Sequence, residues 1–173
     1  FLNMYALEKV NIPASVVNFG SGVFVGCSAL DAGSGLTIDE GNTVIRLEDG
    51  VLYSADMDEL LYYCANKEDA SYVMPNTVKI IPEEAFCDHE YLTSVTLSEN
   101  LEYIPSGAFD GSLITSIVIP ASVTEIASSA FQSSELSSIE FAEGGKLSAI
   151  GEEAFYYTQL ESVDLLVHVA DAS

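Results

Sequence analysis

The residues best suited to chemistry in this chain are few and badly spaced for it. Of its 173 residues, two are histidines and three are cysteines. His89 and His168 lie far apart, and neither sits in an HExxH pair or any spacing that places two ligands on one face. Cys27, Cys64 and Cys87 form no CxxC, and an odd count argues against a disulfide framework, so all three read as structural thiols. Serine is abundant, but no serine has the strained Gly-x-Ser-x-Gly setting of an exposed nucleophile. No glycine-rich loop opens a helix to hold phosphate. The carboxylate pairs Glu83-Glu84 and Glu152-Glu153 read as solvated turns rather than as two groups facing each other across a scissile bond. Asp56-Met57-Asp58-Glu59 and Asp39-Glu40-Gly41-Asn42 offer oxygen ligands, but neither fits the twelve-residue calcium loop. The expectation is a protein that is not an enzyme, with no catalytic residue, resident metal or cofactor.

Charge narrows the partners. Five Lys and Arg against 27 Asp and Glu give a net charge of −22. Nucleic acid is excluded as a partner, because phosphate contacts need clustered cations. An anionic membrane surface is disfavoured for the same reason. No run approaches the roughly 18 apolar residues of a membrane span. The acidity keeps an extended surface soluble and would attract a basic partner. A monomer is expected.

What positions the side chains is a repeat. Ala-Phe recurs at Ala85-Phe86, Ala108-Phe109, Ala130-Phe131 and Ala154-Phe155, in steps of 23, 22 and 24 residues. After each phenylalanine comes an apolar triplet: Leu92/Val95/Leu97, Ile114/Ile117/Ile119, Leu136/Ile139/Phe141 and Leu160/Val163/Leu165. Its last two members are two apart, the strand period. A second apolar pair follows, as Val78/Ile81, Leu101/Ile104, Val123/Ile126 and Leu147/Ile150. Such a period predicts a solenoid whose turns bury their apolar faces only against one another. Each turn contributes one strand and one short extended segment, and docks its Ala-Phe on the next, so that the rings form a column. Burying each ring contributes roughly 1.5–3 kcal/mol. Phe1 reads as the ring of a truncated first repeat, followed by Leu7, Val10 and Ile12. The solenoid is expected over residues 1–165, with 166–173 as a tail.

The step from Phe24 to Phe86 is 62 residues, and the pattern between them differs. Asp49-Gly50 between Val44–Leu47 and Val51–Tyr53 is a hairpin signal. Leu60-Leu61-Tyr62-Tyr63 follows, and Tyr72-Val73-Met74-Pro75 returns to the repeat. An inserted β-hairpin or small three-stranded sheet is expected at residues 33–74. It carries Tyr53, Tyr62, Tyr63 and Tyr72, candidate partner contacts because tyrosine offers apolar area with a polar tip. Packing onto the solenoid is the other reading of these rings. Adjacent Tyr62 and Tyr63 point to opposite faces of a strand.

A second candidate surface is the outer face of the repeat strands. Ser94, Ser116, Ser138 and Ser162 precede the paired apolar positions, and Thr96, Val118, Glu140 and Asp164 lie between them. Strand alternation turns both sets away from the core. The serines form either a ladder of cross-strand contacts or a broad recognition face.

The unit Ala-Phe, a small residue or Cys, Leu-x-x-Val-x-Ile-Pro, then Ser-Val-x-x-Ile resembles the BspA-type leucine-rich repeat. It stands here as Leu7 to Pro13 with Ser15-Val16, and as Ile114 to Pro120 with Ser122 to Ile126. Asp49 to Tyr53 with Leu60 to Tyr63 resembles a hairpin interruption of that family. Gly33 and Ser98 depart from the pattern, where an apolar residue and Pro are usual. The resemblance implies a leucine-rich-repeat-like right-handed solenoid, β-rich α/β, with a small helical turn in each repeat of about 23 residues. It implies a secreted or cell-surface protein that binds an extracellular or host protein in adhesion. The alternatives are a structural spacer, or a carbohydrate-binding module using the insertion's tyrosines.

Overall fold

A computed structural model describes residues 1–20 and 22–165. Its building block is the Ala-Phe segment, which is a tight turn and not the expected helical one. No helix is present among the described residues. The reason is visible in the backbone. Glu84 and Asp88 flank Phe86 with φ of 57° and 50°, and Ser129 and Ser133 flank Phe131 with 57° and 55°. Gly107 and Gly111 hold the same places around Phe109, at 62° and 64°. A left-handed residue on either side of the ring stops an α-helix from propagating. The N–H groups instead donate along the stack. Phe86 N–H reaches the Ala108 carbonyl at 2.8 Å, Phe109 that of Ala130 at 2.7 Å, and Phe131 that of Ala154 at 2.8 Å.

These bonds hold the coils at the spacing the rings need. Phe86, Phe109, Phe131 and Phe155 stack with centroids 5.1, 5.1 and 5.4 Å apart and planes within 13°, 2° and 6° of parallel. Phe1 stacks on Phe24 at 5.6 Å. Ala108 and Ala130 are fully buried between coils, where a longer side chain has no room.

The result is a right-handed solenoid of stacked coils. Its strands are β1 (Val10–Ile12), β2 (Leu36–Ile38), β3 (Ile45–Glu48), β4 (Val51–Ser54), β5 (Leu60–Tyr63), β6 (Ser71–Val73), β7 (Ser94–Thr96), β8 (Ser116–Ile119), β9 (Glu125–Ile126), β10 (Ser138–Phe141) and β11 (Ala149–Ile150). Parallel pairs β1–β2, β6–β7 and β8–β10 form the principal face. The second row is shorter, with β9 parallel to β11 and a bridge between Ile104 and Ile126. Val78, Ile81, Leu101, Ile104, Val123 and Ile126 from this row are all buried.

Among the described residues, antiparallel pairing is confined to β3–β4–β5, residues 45–63. This is narrower than 33–74, because β2 and β6 already pair parallel with solenoid strands. Gly33 departs from the repeat because the strand starts later. Asp31 caps an added turn, accepting from Gly33 N–H and the Ser34 hydroxyl, before Leu36 pairs with Val10.

The three-stranded sheet lies across the stack and is covered on both sides. Val51, Tyr53, Leu60 and Tyr63 pack into the core that contains Phe86 and Phe109. Ile45, Leu52, Tyr62 and Cys64 pack into the core around Phe24. A bulge lets one strand serve both. Register shifts between Leu52 and Tyr53, which pair with Tyr62 and Leu60, so Leu61 is the extra residue and joins Tyr62 on the Phe24 side. Tyr62 meets Phe24 at 5.3 Å and Tyr63 meets Phe86 at 5.2 Å. The ring column thus runs through the sheet.

His89 fastens the sheet to the next coil. Its Nε2 lies 3.0 Å from the Cys64 carbonyl, and its ring meets Tyr63 edge-on at 5.0 Å. Burial holds the imidazole below its ordinary value of 6.5, and the Lys67 charge adds to this, while the Cys64 carbonyl and Glu90 pull the other way.

Two outcomes are expected. Phe109→Ala should lower stability by about 3–5 kcal/mol in urea unfolding, and Phe155→Ala by less, because Phe155 is only half-buried. His89 refuses in the fold a proton that it accepts when unfolded. Its stabilisation is therefore complete above the ordinary histidine value and lost as pH falls through it, by at most about 1.4 kcal/mol per pH unit. Urea midpoints at pH 7.5 and 5.5 should fall more steeply in the native protein than in His89→Gln.

Candidate functional site

The outer faces of β7, β8 and β10 come together as a shallow groove of about 610 Å³. Ser94, Thr96, Ser116, Val118, Ser138 and Glu140 all line it. Alternation places them there: on the other face Val95, Ile117 and Ile119 lie in the core, and Ile139 and Phe141 of β10 pack half-buried against it. Register keeps like residues in line, with Ser138 beside Ser116 and Glu140 beside Val118. Val118 is 53% exposed, an apolar side chain in the middle of a hydroxyl-rich floor. Glu99 adds a second carboxylate.

The serine hydroxyls do not form the cross-strand ladder. Among the described residues, those of Ser94, Ser116 and Ser138 make no hydrogen bond within the protein. The hydroxyls that tie neighbouring strands sit one residue earlier. Thr93 donates to the Ala70 carbonyl and Ser137 to that of Thr115, both at 3.1 Å. The groove's own hydroxyls are therefore open to a ligand.

Ser162 and Asp164 do not join the groove. Residues 162–165 form no strand, and Val163 and Leu165 remain 38% and 49% exposed. Without burial of these two side chains, alternation no longer fixes which way Ser162 and Asp164 face.

Sequence reasoning missed Ser71 and Val73. They lie in β6, where Ser71 pairs with Ser94 and Val73 with Thr96, so the exposed row gains a further coil. Val73 is 71% exposed. The exposed-buried-exposed alternation of Ser71-Tyr72-Val73 was the available signal, hidden by assigning that segment to the insertion.

The tyrosines correct the other candidate. Tyr53, Tyr62, Tyr63 and Tyr72 are all buried, because the sheet that carries them is sandwiched between two cores. Three of their hydroxyls find partners inside, while that of Tyr63 is buried without one. The Tyr53 and Tyr72 hydroxyls lie 2.7 Å apart, and the Tyr62 hydroxyl accepts from Ala65 N–H at 3.2 Å. Burial pushes all four phenols above their ordinary range. These four rings offer no open face to a sugar. Nearby, buried Lys67 holds Asp49 at 2.8 Å and also pairs with Asp69. Burial opposes its charge, but the two carboxylates prevail and raise its pKa.

The cysteines are inert. Cys27 and Cys64 are buried and donate to the carbonyls of Phe1 and Leu30. Burial, with Asp88, Asp110 and Glu84 nearby, pushes the Cys87 thiol up to about 12. His168 lies outside the described residues. The groove contains neither cysteine nor histidine and presents hydroxyls, carboxylates and an exposed valine.

Comparison with known proteins agrees with this architecture. No curated protein matches the chain. Among solved structures, the pneumococcal vaccine antigen PcpA is similar with a TM-score of 0.66 and 26% identity, over 90% of this chain and 46% of its own. A leucine-rich repeat protein from Eubacterium ventriosum gives a TM-score of 0.62 at 17% identity, over 92% of this chain and 61% of its own. A leucine rich cell surface protein from Faecalibacterium prausnitzii gives 0.50 at 23% identity, over 79% of this chain and 48% of its own. This chain thus spans about half to three fifths of each of those proteins. The model of the BspA type leucine rich repeat region matches six copies, over residues 1–51 and 57–172. With the repeat, the ring column and the stacked coils in agreement, the chain belongs to the BspA-type leucine-rich repeat family.

Proposed function

We propose that this solenoid is a non-enzymatic protein-binding module of a secreted or cell-surface protein, and that its ligand is an extracellular or host protein held in the groove over β7, β8 and β10. The observation that carries this reading is the row of unengaged hydroxyls around exposed Val118 and Val73. Small side chains keep the face shallow, so a partner's backbone can approach closely. Glu99 and Glu140 favour a partner with lysine or arginine at the contact, and the −22 charge of the chain speeds its approach. The vaccine-antigen and cell-surface descriptions of similar structures support the location. A spacer role would leave this face without a ligand.

Ser116→Arg with Val118→Asp tests the reading against an array of host and matrix proteins. Binding should weaken about tenfold or more, as at the centre of an interface. Thermal stability should hold, because exposed substitutions usually shift it by no more than about 0.5 kcal/mol. Unchanged binding by the double variant would assign the groove no role.

A further inference from the structure

We infer that a second binding site lies on the opposite side of the solenoid, where the Ala-Phe turns of Phe24 and Phe86 face each other across the inserted sheet, and that it takes an extended peptide segment of a partner protein by its backbone. The uninterrupted junctions show what belongs there. In the coils of Phe86 and Phe131 the N–H groups two before the ring, at the ring and two after it donate to carbonyls of the next turn, and in that of Phe109 the last two do, to Ala130 and Gln132. Glu84, Phe86 and Asp88 donate to Ser106, Ala108 and Asp110, and Ser129, Phe131 and Ser133 donate to Glu152, Ala154 and Tyr156. Gly22 and Gly26 flank Phe24 with φ of 67° and 71°, the conformation of Glu84 and Asp88. Their N–H groups, with that of Phe24, therefore point the same way along the stack. The carbonyls that would receive them belong to Glu83, Ala85 and Cys87.

The sheet has pushed these two edges apart. Among the described residues, none of the three donors and none of the three acceptors finds a partner. All six residues line one slot, whose base is Leu61, Tyr62, Tyr63 and Ala65. His89 lines it too, is 3% exposed, and its Nδ1 has no partner. A row of donors facing a row of acceptors fits one extended strand, which accepts on one edge and donates on the other. Such a strand completes the ladder as a missing turn would.

Size sets the side chains. The free space in the whole slot is only about 40 Å³, room for a water or two. Tyr62 and Tyr63 already fill the ring layer. The segment therefore lies along the rim and turns only glycine, alanine or serine inward. An intact second copy is a poor source, since its central Ala-Phe turns are engaged in their own ladder.

The probe is the hexapeptide acetyl-Gly-Ala-Ser-Gly-Ala-Ser-amide, titrated into the whole isotopically labelled chain. The amides of Gly22, Phe24 and Gly26 should shift saturably and exchange with solvent about tenfold more slowly, while that of Phe109 stays unchanged. The same peptide N-methylated at every second residue should do neither. Ala65→Leu should abolish the response by filling the slot. If that variant unfolds, the smaller Ala65→Val serves instead, since it narrows the same slot with less added volume. Silent amides, or equal effects of the methylated peptide, would overturn the site and leave the two edges to water. Light scattering that shows a dimer lost in the slot variant would overturn the partner in favour of self-association.

Discussion

The backbone bond from the N–H of each ring-bearing residue to the carbonyl of the alanine one coil on is the constraint from which the rest follows. It fixes the rise of the stack near the spacing at which phenylalanine rings make their best parallel contact. Three ring contacts between 5.1 and 5.4 Å follow from three such bonds between 2.7 and 2.8 Å. The alanine must be small because it lies between coils. The flanking residues must be left-handed because only then do the N–H groups leave their own turn. Glutamate, aspartate and serine accept that conformation at a cost of about 1 kcal/mol or more each, and the coil-to-coil bonds offset it. Where glycine stands after the ring, a second reason applies. A Cβ on Gly111 would lie 2.1 Å from Asp88 Oδ1, and one on Gly26 would lie 2.3 Å from Asn3 Oδ1. The side chain of the preceding coil already occupies that place.

A stack held by axial bonds resists interruption, and the inserted sheet shows what an interruption demands. A coil turns its apolar side chains toward the centre. The sheet turns its own toward both neighbours, so it needs apolar residues on successive positions, as in Val51-Leu52-Tyr53. Two separate cores result, divided by the sheet and sharing it. Large rings are needed to span the added width, and tyrosine brings hydroxyls into it, of which that of Tyr63 is left without a partner. The Tyr53–Tyr72 contact and the buried Lys67 with its two carboxylates supply polar partners at the rim of this layer. Outside the sheet's reach, on the Ala-Phe side, nothing replaces the axial bonds.

The repeat was legible because its residues are chosen by the core. Phe86, Phe109, Phe131 and Phe155 could be placed from spacing alone, and so could the outward facing of Ser94, Ser116 and Ser138. The turn around each ring was not legible as a non-helical one. Left-handed conformation at Glu84, Ser129 or Glu153 carries no compositional sign, whereas glycine at 107 and 111 does. The buried tyrosines were misread for a related reason. Strand alternation says that Tyr62 and Tyr63 face opposite ways, but a sheet covered on both faces looks identical in sequence to one with an exposed face rich in aromatics. Ser71 and Val73 were overlooked because the insertion was drawn too wide, not because their pattern was weak.

The separation of core from choice explains how such a scaffold acquires a partner. Inward positions are bound by ring and coil spacing and tolerate little change. Outward positions on the same strands contribute almost nothing to the stack, since hydroxyl ties to the backbone come from Thr93 and Ser137 and not from the serines of the groove. The groove residues are thus free to vary without loss of the fold. That freedom makes the face suited to recognition and equally makes its ligand unreadable from repeat membership. A contact made through the backbone at the break between Phe24 and Phe86 obeys the reverse rule. It depends on geometry that the fold imposes and hardly at all on which side chains happen to stand there.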